Sequence, residues 1–224
     1  LANLEWAHAY DEGNTMTPTF STLDDLSNEL QEMGSHSAEY WDKQVHKVPQ
    51  SKTVDRTAYL VAQATGKTIL HVGCTGQLDV ALRKVAKKCY GIDQQALTRP
   101  DFHQCNLDAL AYEDLPAYPD VELVICGEVL EHLSNPGFFL ISVREACAGT
   151  PVIFTVPNAM GAAGAEWLVK RGRENCNRDH VSYYSYVTLK ELLRRAGYGI
   201  DQHYWYGGRP YISEGIIAVC SDKF

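Results

Sequence analysis

The feature that most restricts the fold is a series of short apolar runs, each followed by a stretch with helical spacing. The runs are Thr68–Val72, Cys89–Ile92, Phe102–Cys105, Val121–Cys126 and Val152–Val156. Their apolar residues stand largely at consecutive positions, as in strands buried on both faces. Helical patterns cover about 51–65, 78–88 and 136–146, the first closing at Gly66. Strand and helix alternating in this way predict an α/β fold whose parallel sheet carries helices on both faces.

The C-terminal part changes character. Thr188 with Glu191 makes a capping-box pattern ahead of Leu189, Leu192, Leu193 and Ala196, so a helix is expected to stop at Gly197. Tyr198–Tyr206 and Tyr211–Cys220, joined by Gly207-Gly208-Arg209-Pro210, read as a hairpin at the end of the sheet. Residues 1–50 are polar and aromatic, with short helices expected up to Gly34 and over 38–47. They are read as an N-terminal helical extension or lid, which covers the substrate mouth or mediates a homodimer, and 51–224 as one α/β domain.

Composition excludes some function classes. The net charge of −8 argues against a broad phosphate-binding surface, which needs clustered Lys and Arg. No apolar run approaches the roughly 18 residues of a membrane span, and the first residues lack the basic-then-apolar order of a secretory signal. The seven Cys are odd in number and form no CxxC pair. Buried thiols in a reducing cytoplasm are therefore expected.

Chemistry-bearing residues gather at the ends of the runs. Gly73-Cys74-Thr75-Gly76-Gln77 joins the first strand to a helix, where small residues let backbone approach a ligand and the helix start supplies free N–H groups. A tight strand-to-helix turn also needs Gly for packing alone. Asp93 closes the second strand, twenty positions beyond Gly73. An acid there can accept from both ribose hydroxyls of a nucleoside-containing cofactor, or cap a following helix. Gln94 follows it. Asn106-Leu107-Asp108 after the third run either meets an adenine ring or caps a helix from Leu107. Gly127-Glu128-Val129-Leu130-Glu131-His132 puts two carboxylates and an imidazole at the carboxyl end of a central strand, where open α/β sheets bind ligands.

In this order the motifs resemble those of class I S-adenosylmethionine-dependent methyltransferases, among them bacterial small-molecule and glycan enzymes. The resembling segments are Ile69 to Cys74, Gly91-Ile92-Asp93, Cys126 to Pro136, Val156-Pro157-Asn158 and Asp179 to Ser185, within about 51–200. The resemblance implies a Rossmann-like seven-stranded, mostly parallel sheet with an antiparallel C-terminal hairpin. It implies S-adenosylmethionine as cofactor and S-adenosylhomocysteine as product. Gly73, Cys74, Thr75 and Gly76 would border the methionine part, Asp93 and Gln94 the ribose, and Asn106 and Leu107 the adenine. Gly127 and Glu128 would lie beside the cofactor, facing the substrate. The chain departs from the family at His71, where an acid is usual, and at Thr75 and Gln77, where Gly is favoured. That removes an expected partner for the loop or the cofactor's amino group.

Methyl transfer is an in-line displacement that depends on holding the nucleophile about 3 Å from the methyl carbon. A hydroxyl nucleophile is helped by a positioned base, and His132, His180 and Glu128 are the candidates. The expected reaction is O-methylation of a small molecule or glycan. The segment 161–186, carrying Trp167, Lys170, Arg171, Arg173, Arg178, Tyr183, Tyr184 and Tyr186, is either a lid suited to sugars, nucleotide-sugars or anionic metabolites, or a solvated helix with core aromatics. Two alternatives stand beside this. Glu128, Glu131, His132 and His180 resemble the metal-ligand set of small-RNA 3′-end 2′-O-methyltransferases. The same Glu-x-x-Glu-His occurs in metal-free relatives, so no metal ligand is assigned. A non-catalytic S-adenosylmethionine-binding protein is the other alternative.

Overall fold

The computed structural model describes residues 47–108, 115–173 and 176–223. The chain divides into two units, Leu1–Lys47 and Val48–Phe224. The helices expected within 1–47 lie outside the described residues.

One seven-stranded sheet runs through the second unit in the order β3-β2-β1-β4-β5-β7-β6. Its strands are β1 (Thr68–Val72), β2 (Lys88–Asp93), β3 (Phe102–Gln104), β4 (Leu123–Gly127), β5 (Val152–Pro157), β6 (Tyr198–Tyr206) and β7 (Gly215–Asp222). The first five are parallel, and β7 is antiparallel to both β5 and β6. This is the mostly parallel sheet with a C-terminal hairpin that the motif order implies. Among the described residues no helix is long and apolar enough to cross a membrane.

The helices are α1 (Arg56–Ala64), α2 (Gly76–Val85), α3 (Pro136–Ala146), α4 (Ala162–Arg171) and α5 (Tyr186–Arg195). The pleat sorts side chains between the sheet's two faces. Ile69, Leu123, Ile125, Ile153 and Ile217 pack with Leu60 of α1 and Leu82 of α2. Leu70, Val72, Val124, Cys126, Phe154 and Ala218 pack with Phe139, Leu140 and Val143 of α3 and Leu189 and Leu193 of α5. Burial on both faces accounts for the continuous apolar runs.

Helix α2 covers Gly76–Val85 where 78–88 was expected, so Lys88 belongs to β2, and β4 is shifted to Leu123–Gly127. Three further boundaries differ for visible reasons. Helix α1 begins at Arg56, because the Asp55 side chain accepts from the Ala58 N–H at 2.7 Å and caps it there. The residues before it are extended, with Val54 N–H donating to Trp205 O at 2.8 Å and Trp205 N–H to Lys52 O at 3.1 Å. Helix α5 is capped by Ser185, whose partner in the capping box is Thr188, and Glu191 instead pairs with Arg194 and Arg195. Strand β7 starts at Gly215, since Asn158 Nδ2 draws the Tyr211 and Ser213 carbonyls out of the ladder at 2.9 and 3.0 Å.

The chain reverses its winding between β1 and β4, which are adjacent although β2 and β3 intervene in sequence. Their diverging connections open a crevice at the carboxyl ends of the strands.

Candidate active site

At the end of β1, Gly73 has a φ of +73° and sits so close to the β4 turn that a Cβ would lie 2.5 Å from Val129 Cγ2. Glycine is thus required by approach as well as by conformation. Thr75 precedes α2, and the start of that helix lies beside the turn.

Asp93 closes β2 and is buried. Its Oδ1 accepts from Gln95 N–H at 2.8 Å in a local turn, and no helix follows for it to cap. Asn106 Oδ1 accepts from Asp108 N–H at 3.1 Å, in a turn that includes Leu107. The helix expected from Leu107 would run into 109–114, outside the described residues.

Glu128, just beyond β4, is one of three non-glycine residues at positive φ among the described residues, at 57°. Such a conformation costs about 1–2 kcal/mol and is held by its surroundings. Its N–H donates to Thr155 O at 2.9 Å. Its Oε1 accepts from Thr155 Oγ1 at 2.9 Å and from the Tyr206 hydroxyl at 2.7 Å, and lies 3.1 Å from Arg56 Nη1. Burial, then the Glu128 charge, push the Tyr206 hydroxyl far above the usual phenol range, so it stays a donor.

A short 3₁₀ turn, Leu130–His132, follows. The Glu131 carboxyl is 1% exposed, and among the described residues neither of its oxygens has a hydrogen-bond partner. Burial, reinforced by Glu128, raises it to about 8. His180 Nε2 lies 4.0 Å from Glu131 Oε1. The His132 and His180 rings meet edge to face, 4.7 Å between centroids. Burial, together with His132, lowers the His180 pKa, favouring a neutral imidazole that can accept a proton. The loop bearing His180 is tied down by Val181 and Ser182 N–H groups donating to Glu131 O at 2.9 and 3.1 Å.

Two cavities meet at Glu128. One of about 870 Å³ spans the ends of β1, β2 and β4, with Gly73, Thr75, Asp93, Gln94, Leu107, Gly127, Glu128 and His132 in its wall. Its size suits a nucleoside-bearing ligand. Of the residues expected at the cofactor, Cys74, Gly76 and Asn106 do not line it. Cys74 is buried beneath the turn, its Sγ against Gly91. The second cavity, about 710 Å³, is lined by Asp55, Arg56, Glu128, Asn177, His180, Tyr206 and Glu214, among others. An apolar groove of about 360 Å³ continues it under α4, past Ala163, Gly164 and Leu168.

Sequence reasoning missed Arg56, Thr155, Asn177, Tyr206 and Glu214. Tyr206 stands in Tyr204-Trp205-Tyr206, an aromatic run that by sequence reads as sheet core or an interface, and Trp205 is core. The segment 161–186 is split. Tyr184 and Tyr186 belong to the core, whereas Trp167 is half-exposed with Arg171 stacked 4.3 Å over its ring.

Residues 41–203 match a family described as a methyltransferase domain. No curated protein matches the sequence. Among solved structures, magnesium protoporphyrin IX methyltransferase from Synechocystis PCC 6803, with bound S-adenosylhomocysteine, superposes with a TM-score of 0.52 at 16% identity, over 88% of this chain and 100% of that one. The small RNA methyltransferase HEN1 gives 0.60 at 14%, over 80% of this chain and 27% of that one. The [4+2]-cyclase SpnF gives 0.54 at 19%, over 75% and 80%. At these identities the superpositions establish the fold, and the reaction class rests on the family match. This chain belongs to the methyltransferase-domain family and is an S-adenosylmethionine-dependent methyltransferase.

Proposed function

We propose that the enzyme methylates a hydroxyl of a small molecule or sugar. The observation that supports this is the pair of cavities meeting at Glu128, with Arg56, Thr57, Glu128 and Asn177 in the wall of both. In this reading the larger cavity takes the donor, with Asp93 holding the ribose, and the second takes the acceptor.

S-adenosylmethionine supplies an electrophilic methyl group on a sulfonium. Glu128, fixed by Thr155, Tyr206 and Arg56, positions the acceptor at the junction. His180, which lines the acceptor cavity, takes the hydroxyl proton as the oxygen–carbon bond forms, with His132 behind it. Asp55, Glu128 and Glu214 outnumber Arg56 in that wall, so a neutral polyol suits it better than a phosphate or carboxylate.

The test is a screen of matched hydroxylated acceptors, neutral and phosphorylated, scored by S-adenosylhomocysteine release. Turnover restricted to neutral hydroxyl compounds supports the reading. Methylation only of amines or phosphorylated acceptors contradicts it. Donor binding with turnover of none of these acceptors also contradicts it.

A second reading has its own observation. Glu131, His132 and His180 bring ligand atoms within 4.8 Å of one another, and the buried Glu131 oxygens have no hydrogen-bond partner among the described residues. A carboxylate and two imidazoles fit a divalent cation, which would supply Lewis acidity toward a vicinal diol such as an RNA 3′ end. Activity abolished by chelation and restored by Mn²⁺ or Mg²⁺ favours it; activity indifferent to chelation excludes it.

A further inference from the structure

The proposed acceptor cavity continues past His180. It runs into the apolar groove of about 360 Å³ under α4, and Pro157, Ala163, Cys176, His180 and Glu214 line both spaces. His180 therefore stands where the acceptor cavity joins the groove, as Glu128 stands where that cavity meets the donor cavity. The groove holds no residue the mechanism uses beyond His180.

Helix α4 is anchored at its start, where Gly161 N–H donates to Asn158 O at 2.9 Å and Ala162 N–H to Ile212 O at 3.0 Å. Beyond those anchors none of its residues is buried. Helical spacing puts Gly161, Gly164, Ala165 and Leu168 on one face, and that face lines the groove. An amphipathic helix ordinarily buries such a face against the core. Here it borders open space: a Cβ added at Gly164 would have nothing within 4 Å, and Leu168 is half-exposed. Asn158, also in the wall, has its amide committed to the Tyr211 and Ser213 carbonyls. The groove thus offers an occupant apolar contact and few hydrogen bonds, which suits hydrocarbon better than a second polar ring.

We propose that the acceptor is an amphiphile, a neutral polyol or sugar head carrying a hydrocarbon chain, and that the groove under α4 takes the chain. Continuity selects this occupant. The groove opens into the space where the hydroxyl reacts, so one molecule with its head between Glu128 and His180 reaches the groove with its tail. A free sugar fills the polar cavity and leaves the apolar wall in water, so burial of the chain sets the specificity. This rests on the assignment of the polar cavity to the acceptor.

The experiment is titration calorimetry of the full chain, in excess S-adenosylhomocysteine, with methyl, butyl, hexyl and octyl glucosides kept below their micelle thresholds. A fully buried methylene contributes about four-fold in affinity, so octyl glucoside is expected to bind on the order of ten-fold or more tighter than butyl glucoside. Gly164→Leu fills the groove and is expected to flatten that rise. Its side chain enters open space and replaces a glycine inside a helix, so the fold should tolerate it. Leu168→Asp, at a half-exposed position, is a second variant that should flatten the rise by placing a charge beside the chain. Equal affinity for all the glucosides in the wild type, or the same rise in wild type and variants, would overturn the proposal. So would a wild-type dimer that Gly164→Leu dissociates in sedimentation, because a second copy would then fill the groove. Turnover is scored apart from binding, on octyl glucoside and octylamine. Methylation of the amine alone, with the rise in affinity intact, would overturn the hydroxyl reading and leave the chain site in place.

Discussion

Tyr206 on β6 donates its hydroxyl proton to Glu128 Oε1 at 2.7 Å, tying the antiparallel edge of the sheet to the turn after β4. The two residues are 78 positions apart in sequence and share a wall of the proposed acceptor cavity. Removing the hydroxyl leaves the ring in place and the carboxylate short of one donor. Tyr206→Phe should lower kcat by about ten-fold or more, through a misplaced Glu128. Stability should fall by only about 1 kcal/mol. Steady-state kinetics with urea denaturation checks both, and unchanged kcat would show that Glu128 does not depend on this bond.

The positive φ of Glu128 separates backbone from side-chain effects. Glycine adopts that conformation freely, whereas alanine keeps the Cβ penalty of about 1–2 kcal/mol. Glu128→Gly should therefore be more stable than Glu128→Ala in thermal unfolding, and both should be nearly inactive. Activity retained in either variant would remove Glu128 from the reaction.

Asp93 is expected to hold the donor's ribose. Asp93→Ala should weaken S-adenosylhomocysteine binding by about ten-fold or more, since a charged acceptor of hydroxyl donors is lost. Unchanged affinity in calorimetry would displace the donor from the end of β2.

Asp79, buried in the first turn of α2, gives a pH signature. Burial alone would raise its pKa, but the hydrogen bond from His71 and the charge of Arg99 outweigh it and lower it in the folded state from 3.8. Its contribution is thus fully present above that value and is lost as pH falls through the folded-state pKa. Asp79→Asn should be less stable than wild type at pH 7, by about 2 kcal/mol or more. The gap should close in strong acid. A gap constant from pH 7 down to pH 2 would show that the loss is one of packing.

The parallel core was legible because burial on both faces writes itself as consecutive apolar residues, so Thr68–Val72 and Val152–Val156 stood out. Turn positions such as Gly73 and Asp93 were legible because strand ends are short and their chemistry is local. Tyr206, Arg56 and Glu214 were not. They reach the cavity through pairing of β6 with β7 and through the cap on α1, neither of which leaves a local pattern. The early start read for α1 shows the same limit. Val54 lies within its apolar stripe, yet backbone pairing with Trp205 draws that segment into an extended conformation. The acid missing at His71 looked like a defect in sequence. In three dimensions Asp79, eight positions on, stands beside it.

A crystal structure with S-adenosylhomocysteine tests the donor site most directly. The adenosyl group is expected between Gly73, Asp93 and Leu107, with the sulfur turned toward Glu128. A bound molecule elsewhere on the protein, or an empty crevice at saturating concentration, would contradict it.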